Sequence, residues 1–566
     1  MILRINRKYF ICYLFLSLST FISAQQELKA IDKHLDALFG DYNNGLKPGV
    51  SVAIMQQNKP IFMKSYGHAN LEYGIKNTPN TLFNTADLAK QFTVFSILIL
   101  EEQGKLTIND DVKKHLPELS EWPFKITLKH LMEQTSGLRD VMELKKWIGY
   151  KNGDVITRQD IIDIAAKQKH LNFPSGNKFE YNRTGFVLLT EVIAKVSGMS
   201  FPDFVDQYIF TPLKMHNSMF VDSTTELIKN RAYSYTVDKT KFINIPSNSS
   251  FVGGTNLYTS VADFTKWLQN MPDQSIGKPA FYNYMHTKIK LLNGQNSNYT
   301  PGIFKDESQG YSRIHLEGFD HGYTAYMLHI PEHDFSLVYF SNDGNFPHED
   351  VNKKFENWFN TDYSIDPVKP FVLPNVKLVN KSKKELQAYT GNFLFEDTYS
   401  IRKIVLENDT LFYVRSKTNR TPIIPIEGNH TFKMLYPNED NLRVTFKNQG
   451  KFLEFRAINN PKDYPDYVSL GRNIKLMNVK QDAFSNTYKN EALGHTISLQ
   501  SANGEMRLTL NDVSVLLNQI GVNEFLAEEN SKVSHVKLER DVKGNFTGIY
   551  LSGGQINNLY YRVIEN

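Results

Sequence analysis

Apolar residues follow two regimes along this 566-residue chain. Up to about residue 360 helical and strand spacings alternate, and beyond it short alternating runs dominate. Val50–Met55 and Ile61–Met63 are apolar runs on either side of Asn58-Lys59, which predicts a β-hairpin. Leu88, Phe92, Phe95 and Ile99 recur at helical spacing, and Val94, Leu98 and Leu100 fill the other faces, so a helix buried nearly all round is expected there, with Gly104 as its stop. Ala325–Ile330 and Phe335–Ser341 flank Pro331–Asp334 as a second hairpin. Hairpins at both ends with helices between them predict an α/β (α+β) domain, one antiparallel sheet covered by helices.

Pro367, Pro370 and Pro374, followed by the charged stretch Lys381–Glu385, predict a linker. The remainder reads as strands, for example Leu442–Phe446 and Ile556–Tyr561. It contains two similar stretches: Ala388-Tyr-Thr-Gly-Asn-Phe393 resembles Ala483-Phe-Ser-Asn-Thr-Tyr488, and each is followed by a polar turn and strand, at Asn408–Leu411 and Asn503–Met506. Two small antiparallel β-barrels are therefore expected. The expected division is residues 26–360, a linker at 361–382, a first barrel at 383–460, a second linker at 461–478 and a second barrel at 479–566.

The first 24 residues carry Arg4, Arg7 and Lys8, then the apolar run Tyr9–Leu16, then Phe21-Ile22-Ser23-Ala24. This is the pattern of a secretory signal peptide, cleaved after Ala24 and directing the chain to the periplasm or the exterior. Cleavage would lower the formal net charge from +4 to +1 and remove Cys12, the one cysteine. A chain without cysteine makes no disulfide, iron–sulfur cluster or cysteine-based zinc site, and neither a metal nor a cofactor is expected. No basic stripe suggests nucleic acid, and no later run is long enough to span a membrane.

The chemistry centres on Phe83-Asn-Thr-Ala-Asp-Leu-Ala-Lys-Gln-Phe92. With Pro48–Val52, Glu102–Leu106, Gln134–Leu138, Phe179-Glu-Tyr181, Thr184-Gly185, Pro212-Leu213 and Gly253-Gly254, this segment resembles the serine β-lactamase and penicillin-binding-protein family. The similarity is to its class C β-lactamase, esterase and D-aminopeptidase branch, over residues 33–345. The resemblance implies a Ser-x-x-Lys nucleophile at the start of a buried helix, a Tyr-x-Asn acid/base motif, and Lys-Thr-Gly or His-x-Gly on a strand beside the pocket. The matching positions read Asp87-Leu-Ala-Lys90, Tyr181-Asn-Arg183 and His315-Leu-Glu-Gly318. Alignment on Gly318 and Gly322 puts Leu316 at the cationic position, and only a bulge would bring His315 there.

A carboxylate attacking an amide or ester would form a mixed anhydride, unlike the ester that a serine forms. Asp87 also suits the first turn of a helix, and sits three residues from Lys90 on one face. An ion pair between them would bias Lys90 towards its protonated form. A hydrogen-bonded cluster of Asp87, Lys90 and Arg183 is expected, with Tyr181 lining the pocket and Arg183, His315, Leu316 and Gly318 as its ligand-facing candidates. The expected function is a serine-deficient homologue that binds a peptide, a cell-wall fragment or another small ligand, with its oligomeric state open. The alternative is a hydrolase of amide, ester or D-amino-acid peptide substrates with altered chemistry at Asp87, Lys90 and Tyr181. Ser275–Lys278 and Ser400–Lys403 also spell Ser-x-x-Lys. A Gly or Pro context disfavours a helix at the first, and the second falls in the expected barrels.

Overall fold

The computed structural model describes residues 28–564, except 152, 309, 363–375, 397–399, 416–418, 429, 437–440, 459–466, 478–483 and 528–531. The expected signal peptide and most of the first linker lie outside the described residues.

Strands β1 (Val50–Gln56) and β2 (Lys59–Tyr66) form the first hairpin. Strands β3 (Tyr299–Thr300), β4 (Ile303–Ser308), β5 (Tyr311–Asp320), β6 (Tyr323–Ile330) and β7 (Phe335–Ser341) form an antiparallel run whose last member pairs with β1. The sheet order is β3-β4-β5-β6-β7-β1-β2, so the two hairpins read from the sequence meet at the β7–β1 seam. Alternation along the strands sends side chains to two layers. Val52, Ile54, Leu328 and Tyr339 pack with Leu35, Phe39 and Phe355 beneath the helix at 28–39 and the C-terminal helix of the domain. Ala53, Met55, Leu316, Met327 and Phe340 join the larger core on the other face.

That larger core is built round helix α1 (Lys90–Glu102), whose first eight and ninth positions are all buried, lysine included. Such burial agrees with an apolar pattern that favours no single face. Gly104, with φ +68°, follows its end in the left-handed conformation that only glycine adopts without cost. Helices α3 (Thr184–Ser197) and α4 (Val261–Asp273) pack round it, α2 (Val141–Trp147) packs through Val141 against Val187 on the far side of α3, and α5 (His348–Asp362) closes the opposite layer.

Each C-terminal unit is a closed barrel of eight strands. The repeated motifs occupy equivalent places: Gly391–Phe395 and Phe484–Asn490 open the two barrels, and both polar turns join the second strand to the third. One boundary needs correction. Strand Tyr467–Ile474 pairs with Gly391–Phe395 and closes the first barrel, so residues expected to be linker are barrel wall. Its sequence, Val468-Ser-Leu-Gly-Arg, has alternation too short to stand out.

The second barrel is docked on the N-terminal domain. Leu144 and Trp147 of α2 belong to the same buried cluster as Tyr488, Leu508, Phe525 and Leu559. Asn511 donates to Trp147 O at 2.7 Å, and Asn172 bridges the turn ahead of the last strand through Gln555 O and Asn557 N. The first barrel meets the second through Leu394, Ile474, Ile520 and Leu526. Trp147 is thus a plug shared by two units. Trp147→Ala is expected to cost about 3–5 kcal/mol. Hydrogen exchange should show faster opening of strand Ile556–Ile564 while the strands of the first barrel stay protected.

Candidate functional site

The site begins where strand Phe83–Asn84 meets Leu257–Thr259. Thr85 N donates to Leu257 O at 2.8 Å, which anchors the chain just before α1. The Asn84 side chain accepts from Ala86 N at 2.9 Å, bending the backbone so that Ala86 takes φ +45°. A left-handed alanine costs of the order of 1–2 kcal/mol and persists where the surroundings enforce it. Here it turns Asp87 into a short 3₁₀ turn, Ala86–Ala89, that feeds α1.

Two glycines allow the turn to be gripped. A Cβ on Gly318 of β5 would lie 2.7 Å from Asp87 N and 2.8 Å from Thr85 O, so only glycine lets the strand approach this turn. Gly253, at φ +95°, would place a Cβ 2.4 Å from Thr190 Cγ2, so it lets the following residue come close to α3. Gly254 O then accepts from Lys90 Nζ at 3.4 Å.

Lys90 is fully buried, and its ammonium meets three partners: the Asp87 carboxylate as an ion pair, Gly254 O, and the face of the Tyr181 ring, 4.4 Å to the centroid. An ammonium has three donors and no acceptor, so this set accounts for it. Burial pulls its pKa below the ordinary lysine range, and the Asp87 charge opposes that pull. The sequence suggested a bias towards protonation; the cost of leaving water is the larger influence. Asp87, whose side chain is 12% exposed, is the polar group of the pair that still reaches solvent.

The Tyr181 hydroxyl is buried and makes no aligned hydrogen bond. Burial, then the charge of Asp87, holds its pKa well above that of a free phenol, so it is a neutral donor rather than a phenolate base. Its ring lies between Lys90 and Phe304. Arg183 is placed differently from the expectation. Its backbone N–H donates to Asp140 at 2.8 Å, but its guanidinium makes no ion pair among the described residues. It senses the carboxylates of Asp140, Asp87 and Asp320 through space, and these outweigh its burial to keep it charged. The expected three-membered cluster is therefore a contact pair, Asp87–Lys90, with Arg183 as a neighbouring cation.

Strand β5 separates the remaining candidates. Its pairing with β4 and β6 runs without a bulge. Leu316 and Gly318 share the face turned to α1, and His315 shares the other with Arg313 and Glu317, which bind Glu356 and Asn352 of α5. His315 Nε2 lies 3.0 Å from Asp306 and its ring stacks on Phe304. It does not face Asp87. Leu316 is 1% exposed and part of the core, so it offers a ligand nothing polar. Of the two further Ser-x-x-Lys matches, Ser275 lies in a loop before the helix Pro279–Met285, and Ser400 begins a barrel strand.

Three groups that sequence reasoning passed over complete the site. Asp140 caps α2 by accepting from Met142 N and holds Arg183 N. Asp320 accepts from Thr255 and Asn84 and pairs with His321 at 2.7 Å; against the effect of burial, these partners keep it well below the ordinary carboxylate range. Gln134 supports the Tyr181 loop: its side chain accepts from Asn182 N at 3.0 Å and its carbonyl from Glu180 N at 2.9 Å. Asp140 carried a legible signal, an N-cap aspartate before an apolar helix; the others sit at positions fixed by distant contacts.

Asp87→Asn should destabilise the protein by about 3–5 kcal/mol in denaturant titration, because it strands a buried ammonium, whereas Asp87→Leu with Lys90→Met should recover most of that loss. Glu133 has its pKa pushed up to about 7 by burial, which outweighs a long 3.8 Å pair with Lys129. The folded state then holds this proton more tightly than the unfolded chain, so Glu133 should make stability fall as pH rises from 4.5 to about 7. In Glu133→Gln that part of the fall should vanish from a set of unfolding curves taken across the window.

The beta-lactamase family model matches residues 35–358. Penicillin-binding protein 4* of Bacillus subtilis (strain 168) is 26% identical over 429 residues, covering 71% of this chain and 91% of that protein. Protein flp of Staphylococcus aureus (strain N315) is 26% identical over 335 residues, covering 56% of this chain and 63% of that protein. Among solved structures, the octameric penicillin-binding protein homologue from Pyrococcus abyssi superposes with a TM-score of 0.51 at 20% identity, over 87% of this chain and 99% of that one. SurE does so with a TM-score of 0.53 at 15% identity, over 79% and 99%. These two likenesses speak for the fold alone. The match over residues 35–358 covers more than half of the chain, and with the sheet, the buried helix and the Lys90–Tyr181 contact it places this protein in the beta-lactamase family.

Proposed function

We propose that this protein is a secreted or periplasmic member of the family that binds a ligand without an acyl-enzyme cycle. Asp87 stands on this reading where active relatives carry the nucleophilic serine. The observation that carries it is the closed pair between Asp87 and the fully buried Lys90, capped by the Tyr181 ring. A lysine that assists acyl transfer must take up and release a proton beside a hydroxyl. Here its neighbour is a carboxylate that gives up no proton to it, and an acyl group on that carboxylate would be a mixed anhydride. The phenol that would serve as acid or base is held neutral.

The ligand would enter over Asp87 and Arg183, the polar groups of the site that remain partly exposed. A guanidinium without an ion pair among the described residues offers a planar, two-pronged donor for a carboxylate. Peptides and cell-wall fragments end in carboxylates, and the likeness to a penicillin-binding protein points to the same class. His315 and Leu316 have no part in this.

The test is turnover and covalent labelling. The natural protein should not hydrolyse a panel of p-nitrophenyl esters, D-aminoacyl amides and a chromogenic cephalosporin, and should not retain fluorescent penicillin. Asp87→Ser restores a hydroxyl beside Lys90 and should gain penicillin labelling. Hydrolysis by the natural protein that disappears in Tyr181→Phe would overturn the proposal.

A further inference from the structure

The seam between the N-terminal domain and the second barrel holds two cavities away from Asp87, flanking the start of the barrel's last strand, Ile556–Ile564. The larger, about 580 Å³, is lined by Phe124, Phe173, Leu538 and Tyr550 and is of mixed character. The smaller, about 310 Å³, has a pronounced sign. Its wall carries Arg139, Lys167, Lys169, Lys489 and Arg562 against a single acid, Glu491. That local excess of four positive charges equals the formal net charge of the whole chain, +4.

The charges are not neutralised in place. Arg139 is 3% exposed, and its donors go to uncharged oxygens: Asn557 O at 2.7 Å, Asn558 O at 3.1 Å, Gln168 Oε1 at 3.2 Å and the carbonyl of His170. It therefore contributes a buried positive field without a carboxylate in contact. That field is felt at His170, where burial and then the charges of Arg139 and Lys169 depress the imidazole pKa. Lys167 and Lys169 make no ion pair among the described residues. Glu491 meets Arg562 at 3.2 Å and Lys489 at 3.4 Å, both exposed, solvent-screened pairs open to exchange for another anion. Leu559 and the Tyr560 ring, whose hydroxyl is tied to Glu539 at 2.9 Å, supply an apolar wall.

We propose that this cavity is a binding site for a small anionic ligand, with a phosphate or carboxylate group held by Lys167, Lys169, Lys489 and Arg562 and its uncharged body against Leu559 and Tyr560. The volume is at the low end of the range for small-molecule sites. A cluster of ammonium groups with one guanidinium fork recognises a compact anion, and the low-dielectric walls strengthen the attraction. A ligand there touches both domains, so it also holds the barrel in its docked place.

The experiment is calorimetric titration of the full-length protein, at fixed ionic strength, with glycerol phosphate in one arm and glucuronate in the other. Saturable one-site binding in at least one arm is expected, and the stronger arm identifies the anionic group. Lys489→Glu with Arg562→Glu should weaken it at least tenfold, as should Lys167→Glu with Lys169→Glu. Glu491→Gln, which removes the competing acid, should tighten it. All five side chains lie at the rim, so circular dichroism should show unchanged folds. Absence of saturable heat in both arms up to about 10 mM, or equal binding by the charge-reversed variants, would overturn the proposal.

Discussion

A lysine with no exposed surface lies at the head of α1, and much of the N-terminal domain is arranged to tolerate it. An ammonium moved out of water is costly by several kcal/mol unless its donors are met and its charge is balanced. Asp87 supplies the balancing charge, Gly254 a carbonyl and Tyr181 a ring face. Each partner comes from a different part of the chain and needs its own local device. A left-handed alanine turns Asp87 inward, Gly253 lets its loop meet α3, and Gly318 lets the sheet press against the turn. Relaxing any of these exposes or strands the same charge.

The pair also sets what the cleft can do. In a buried setting the two charges act chiefly on each other, and the phenol beside them stays protonated. Around them lie Asp140, Asp320 and Arg183, which influence one another without contact pairing between Arg183 and the acids. Polar capacity is thus left facing outward while the inner machinery is closed. This is a layout for holding a ligand, as proposed above, more than for passing protons. The second barrel is coupled to it mechanically: Arg139 holds the start of the barrel's last strand, and the next residue, Asp140, holds the backbone of Arg183.

Much of this was legible in the sequence, and the failures have physical causes. The two hairpins, the helix buried all round and the paired barrels rest on short-range periodicity, which survives in a single sequence. The last strand of the first barrel, Tyr467–Ile474, reads as linker because its own pattern is brief and the partner that closes the barrel, Gly391–Phe395, is more than seventy residues away. Asp87 and Lys90 could be paired on paper because helix geometry fixes residues three apart. Arg183 could not, since whether its side chain reaches Asp87 depends on the angle between α3 and the turn. His315 was the open case, and the unbroken register of β5 decides it, sending its side chain to the opposite face.

The most direct measurement is the intact mass of the full-length protein after prolonged incubation with a β-lactam and, separately, with an activated D-aminoacyl ester. If Asp87 and Lys90 form a closed pair in place of a nucleophile, the mass stays that of the unmodified chain in both. A stoichiometric acyl adduct, lost on mutation of Lys90 and mapping to the cleft, would contradict this account.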